Sequence, residues 1–209
     1  MEKIKNNFNH LLSLISIPII NISYTLLNNN SRGTFNLTTE LDRTTPFLKE
    51  FIIPYLAWYP YIFAILLYLC FTDLSSYYKT LVSINIGLVI CYIIYFFFQT
   101  TVPRPDLYGT DLLTRLTSLV YKFDNPFNCF PSIHVLTCYL MIKGIHFEHN
   151  SNILSKIIVY SFSSVIILST LFVKQHVVMD LISAVVLGEL VFQFVDKIIW
   201  KSLFIPGTE

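Results

Sequence analysis

Long apolar runs separated by short polar breaks dominate the chain. Residues 52–72, 80–103 and 157–173 carry no charged side chain. Each is close to the roughly 20 residues that a membrane-spanning helix needs. Residues 11–27 form a weaker run, interrupted by Pro18 and Asn21. Residues 133–147 are apolar apart from His134, Lys143 and His146, and residues 177–195 apart from Asp180, Glu189 and Gln193. The pattern predicts six spans, near 11–28, 50–72, 79–100, 132–147, 154–172 and 177–198. The predicted fold is all-α: a polytopic membrane helical bundle forming one domain over residues 1–209. An even number of spans puts both termini on one side. Lys3 and Lys5 look like the basic region of a signal peptide, but no small-residue cleavage site follows. The first run therefore reads as an uncleaved span.

The connections are unequal. Residues 73–78 and 148–153 are short, whereas 29–49 and 101–131 are long and fall on the non-terminal side. The first long segment is too polar to span and is expected to lie along the interface. The second carries Pro103, Pro105, Pro126 and Pro131, so it cannot be one continuous helix. It is expected to be an extramembrane loop, and long loops in compact chains are often functional. Lysine and arginine divide seven against seven between the two sides. Setting aside Arg104 and Lys174 as functional leaves seven against five, which places the termini in the cytosol.

Composition narrows the class. Hydrophobic residues make up 54% and charged residues 13%, against roughly 25% charged in soluble domains. Mean hydropathy is +0.61. A net charge of +1 offers no broad basic face, so a nucleic-acid partner is excluded. Cys70, Cys91, Cys129 and Cys138 show neither a CxxC pair nor a metal-ligand spacing. Little Ala with much Asn, Ile and Lys points to an A·T-rich, bacterial genome. In such a host the protein would lie in the plasma membrane with its site facing outward.

Charged and titratable residues within membrane segments are functional candidates. Three groups stand out, all toward the non-terminal side. Arg104 lies between Pro103 and Pro105 at the end of the third run. A planar guanidinium matches phosphate oxygens bidentately, although an Arg near a helix end is also a common interfacial anchor. Pro131, Ser132 and His134 open the fourth run, where free helix N–H groups favour an anion. A lone His satisfied by a carbonyl is the plainer reading. His176 and Asp180 are spaced i, i+4, which on a helix puts them on one face. A carboxylate there fixes the imidazole tautomer and leaves the other nitrogen basic. Such a pair can also act only as polar glue between helices. Taken together, the three groups meet the needs of phosphoryl transfer through a histidine.

These residues resemble the type 2 phosphatidic acid phosphatase superfamily of membrane lipid phosphatases and phosphotransferases. That family carries Lys-x6-Arg-Pro, Pro-Ser-Gly-His and Ser-Arg-x5-His-x3-Asp, in this order. Here the motifs read Arg104-Pro105, Pro131-Ser132-Ile133-His134 and Ser169-Thr170-x5-His176-x3-Asp180, over about 77 residues. Phe97, Ile133 and Thr170 stand where the family has Lys, Gly and Arg. The hydrophobic residue in the second motif and Ser-Thr in the third are similar to the inositol phosphotransferase branch. That branch includes inositol phosphorylceramide synthases. The resemblance implies that His176 is the nucleophile, that Asp180 orients it, and that His134 is the acid and then the base. Arg104 and Ser132 would hold the phosphoryl oxygens. Lys174, two residues before His176, is expected to supply the charge that Thr170 lacks, unless it merely snorkels. No cofactor and no metal are implied.

The leading expectation is a membrane phosphatase acting on a lipid phosphate. The alternatives are a phosphotransferase with an alcohol acceptor such as inositol, and a transporter or scaffold in which His–Asp pairs only pack.

Overall fold

The computed structural model describes residues 9–29, 31–149 and 151–200, with the side chain of residue 199 left out. Lys3, Lys5 and Lys201 lie outside the described residues. Five helices are long and apolar enough to cross a membrane: α1 (Asn9–Leu27), α3 (Lys49–Thr72), α4 (Leu74–Phe97), α7 (Ile153–Phe172) and α8 (Val178–Ile198). The fourth expected span is α6 (Ile133–Phe147), whose 15 residues cover only about 22 Å at 1.5 Å each. Two further helices, α2 (Glu40–Thr44) and α5 (Leu112–Phe123), lie in the long connections.

α6 can be short because protein surrounds it. It packs against α3, α4, α7 and α8, and Val135, Leu136, Cys138, Leu140, Met141 and Ile145 are all fully buried. Glycine permits the closest approach. A Cβ on Gly144 would lie 2.5 Å from Thr80 Oγ1 of α4. The outer faces of the long helices show Ile15, Phe63, Ile93, Phe162 and Val186, the surface expected where lipid is the solvent.

The third span begins five residues before the expected boundary. Asp73 is the reason: its side chain accepts from the amides of Ser75 and Ser76 at 2.9 and 3.2 Å. That cap lets the polar stretch before Lys79 join the helix. Asp73 alone therefore separates α3 from α4. In α3, Pro60 has no N–H for the Leu56 carbonyl, and the helix is interrupted at Ala57.

Both ends of the described chain meet the start of α4. His10 Nδ1 is 2.8 Å from the Tyr78 hydroxyl, and Lys79 pairs with Asp196 at 2.6 Å. The long connections gather at the other end of the bundle. β1 (Phe35–Asn36) from the first pairs in parallel with β2 (Thr100–Thr101), with Phe35 opposite Thr100. α5 buries Thr114 and Thr117 and leaves Leu112 and Phe123 exposed. Leu113, Leu116 and Val120 pack on Ile52, Tyr55 and Val173.

Candidate active site

Three helix ends converge at the pole that the long connections cover. α6 starts there, α7 stops, and α8 starts again after a five-residue turn. Ser132 caps α6, its Oγ accepting from the Val135 amide at 3.3 Å. The Ser132 amide donates to the Asp180 carbonyl at 3.2 Å, which ties the start of α6 to the start of α8. The turn 173–177 folds back on α7, where the Thr170 carbonyl accepts from the amides of Gln175 (2.9 Å) and His176 (3.2 Å). Lys174 takes φ +53° to make that reversal.

The expected cluster forms. His176 Nε2 is 3.4 Å from His134 Nδ1, and His176 Nδ1 is 3.3 Å from Asp180 Oδ2. Both histidines are 7% exposed and Asp180 is 0% exposed. The geometry of the His–Asp pair differs from the shared helix face that its spacing suggested. His176 precedes α8, and Asp180 lies in its first turn. The carboxylate turns back to the helix start, where Oδ2 also accepts from the Val177 amide at 2.9 Å. Asp180 is thus both the terminal cap and the imidazole's partner.

Arg104 is held rather than free. Its Nη1 donates to the carbonyls of Asp124 (2.7 Å) and Tyr121 (3.3 Å), and its Nη2 to Gln175 Oε1 (2.5 Å). The guanidinium carbon lies 4.5 Å from the centre of the Tyr121 ring, a cation–π stack. Burial pushes the Tyr121 hydroxyl up to about 12, against the opposing pull of Arg104. Arg104 Nε is buried without a partner. Lys174 Nζ donates to the carbonyls of Asp42 (2.9 Å) and Thr45 (2.5 Å). Burial lowers its ammonium below the usual lysine value, and Asp42 opposes the shift.

Arg104, Lys174 and His176 line one cavity of about 290 Å³, walled also by Thr38, Arg43 and Thr45. The other face of the pair is aromatic. The Trp58 and Tyr55 rings lie 4.2 and 4.9 Å from the His134 ring, and Trp58 Nε1 is anchored on Thr137 Oγ1 at 2.8 Å. His134, Trp58 and Tyr59 border a second cavity of about 500 Å³. Through Asn21, Trp58, Tyr59 and Ile133 it continues into an apolar groove of about 270 Å³ between α1, α3 and α4. Phe97, at the position of the family's lysine, is 78% exposed on the outer surface.

The sequence reading did not find Gln175, Asp42 or Cys129. Asp42 is buried, its Oδ1 taking the Val178 amide at 2.8 Å and its Oδ2 the Thr39 amide at 2.8 Å. The Thr39-x-x-Asp42 spacing is a capping signal legible in the sequence. Gln175 follows Lys174 with no pattern of its own. Cys129 is buried against the cluster, and burial, then Asp180, pushes its thiol well above the usual value.

The fold and this cluster define a class: helical integral-membrane proteins with a paired-histidine, carboxylate-backed site at one pole of the bundle. The model of the PAP2 superfamily matches residues 76–204, and the chain belongs to that superfamily of membrane phosphatases. No curated protein sequence matches the chain. The structure is similar to the crystal structure of LpxE from Aquifex aeolicus, with a TM-score of 0.53 and 18% identity. The alignment covers 87% of this chain and 94% of that one, and the likeness is one of fold.

Proposed function

We propose that the protein hydrolyses a lipid phosphate through a phosphohistidine on His176. The observation that carries this reading is the position of the histidine pair. On the His176 side lies a cavity with Arg104 and Lys174, and on the His134 side an aromatic pocket leads into an apolar groove. A molecule with an anionic head and a long apolar tail fits both sides at once.

In this reading Asp180 holds the Nδ1 proton of His176, which leaves Nε2 to attack phosphorus. Arg104, Ser132 and Lys174 hold the phosphoryl oxygens, joined by the first amides of α6, which precede its first intrahelical bond. His134 protonates the lipid alcohol as it leaves and then takes a proton from water. The 3.4 Å contact between the two imidazoles is too short to admit a phosphoryl group, so His134 moves aside when substrate enters. The enzyme would lie in a bacterial plasma membrane with this pole outward.

The cavity beside His176, with Arg104 and Lys174 in its wall, also has room for an alcohol, which favours the inositol phosphotransferase as a second reading. Both readings share the phosphohistidine and differ in the acceptor. Purified protein given labelled lipid phosphate, with and without inositol, separates them: free phosphate marks the phosphatase and an inositol phosphate the transferase. A transporter or scaffold gives neither product, and His176→Ala then has no activity to remove.

A further inference from the structure

Cys129 belongs to the site cluster, yet the proposed chemistry leaves it idle. It is 2% exposed, in the loop before α6, one residue after Asn128, whose φ is +58°. Its Sγ, a ring nitrogen of His176 and a carboxylate oxygen of Asp180 all lie within 4.8 Å of one another. A second observation concerns Asp180 itself. Its Oδ2 serves His176 and Val177, while its Oδ1 is buried without a hydrogen-bond partner. An orphaned carboxylate oxygen in a fully buried residue is costly unless something fills it.

We propose that Cys129, His176 and Asp180 form an inhibitory site for a thiophilic divalent cation of the zinc type. One sulfur, one nitrogen and one oxygen donor, with His176 also lining the Arg104 cavity, suit tetrahedral Zn²⁺ and not Mg²⁺, which requires oxygen ligands. Bonds of about 2.3 Å to sulfur and about 2.0 Å to nitrogen or oxygen put ligand atoms roughly 3.3–3.8 Å apart. The His176–Asp180 pair already has this separation at 3.3 Å, and the Cys129 sulfur lies within 4.8 Å of both donors. The Sγ–H bond breaks, an Sγ–Zn bond forms, and the proton leaves to solvent without redox change. The thiolate and Asp180 offset the repulsion from Arg104. The ring nitrogen beside Asp180 is Nδ1, so its proton shifts to Nε2 as the ion binds, and phosphoryl transfer loses both the nucleophilic lone pair and the carboxylate behind it. That consequence rests on the catalytic roles proposed above, whereas the ligand set does not.

The test is a Zn²⁺ titration of phosphate release in detergent, alongside Cd²⁺ binding followed by the ultraviolet thiolate charge-transfer band. The parent should be inhibited at concentrations where Mg²⁺ is inert and restored by EDTA. Cys129→Ser should keep its basal activity while the half-inhibitory Zn²⁺ concentration rises by roughly 10–100-fold or more. It should also lose the Cd²⁺ band, although Cys70, Cys91 and Cys138 remain. Asp180→Asn, as an independent ligand variant, should weaken the same band. Unchanged Zn²⁺ sensitivity in Cys129→Ser, or a Cd²⁺ band that survives both substitutions, overturns the proposal. A chain with no phosphatase activity but a Cys129-dependent Cd²⁺ band would sink the proposed function and leave the metal site standing.

Discussion

Replacing Asp180 by Asn tests the site with a single atom. The parent carboxylate uses Oδ2 for two donors, the His176 ring at 3.3 Å and the Val177 amide at 2.9 Å. An asparagine can place either its oxygen or its NH₂ there. With NH₂ in that position it would face two other donors, so the oxygen takes the place and the tautomer of His176 is kept. The NH₂ then occupies the position of the orphaned Oδ1, at about 1–3 kcal/mol of stability for a buried unsatisfied group. What catalysis loses is the negative charge behind an imidazole that becomes cationic on phosphorylation. A charge-assisted hydrogen bond exceeds a neutral one by about 1–2 kcal/mol. Two charges 4 Å apart at an effective dielectric of about 20 attract by about 4 kcal/mol. At 1.36 kcal/mol per tenfold, these bounds give a loss of roughly 5–1,000-fold in kcat. The assay is phosphate release from a short-chain lipid phosphate in detergent, on protein whose melting shows that it is folded. A loss under about fivefold, the lower bound worked above, would refute the role of the carboxylate charge.

Other expectations follow from the same contacts. Lys174→Ala should lower turnover by about 10²–10³, the usual effect of removing one preorganised donor, and Lys174→Arg should restore part of it. Full activity in Lys174→Ala would leave the lysine only its ties to Asp42 and Thr45. Acid should act on the opposite pole through Asp73. Burial pushes that carboxyl up, but hydrogen bonds from His149 and Ser76 outweigh burial and hold it below the ordinary value. A depressed value means its contribution is present above roughly pH 4 and is lost as pH falls further. Melting temperature against pH should therefore drop less steeply in acid for Asp73→Asn than for the parent, and parallel curves would contradict this.

Much of the molecule was readable from its residues because lipid imposes a simple code. Apolar length marked five crossings, and α6 was placed correctly although it is shorter than a span. Boundaries failed where capping decided them, as at Asp73, since a cap draws polar residues into a helix that hydropathy assigns to a loop. His134, His176 and Asp180, which the structure brings together, were visible as isolated polar residues in apolar surroundings. The reason that His176 and Asp180 meet was not, because a helix start intervenes between them. Of the residues that reach the site from the long connections, Cys129 left no pattern and Asp42 only a capping signal. Their meaning comes from contacts across large separations, such as the 132 residues between Lys174 and Asp42.

The groove that would take a lipid tail has an unequal wall. α1 contributes no buried residue to the bundle, unlike each of the other long helices. Leu14, Ile17 and Ile20 pack on the core only partly buried, and polar rungs fasten the helix to α4: Ser16 to Asn85 at 2.8 Å, and Asn21 to Tyr92 at 2.7 Å. A last tie, from Tyr24 to Asp124 at 2.6 Å, reaches the loop before α6. In a bilayer such hydrogen bonds are worth about 1 kcal/mol each, and they can be exchanged for bonds to other partners. In the proposed reaction this helix is the wall that would yield, swinging on its rungs to let a lipid chain pass sideways from the bilayer while the packing around α6 stays intact.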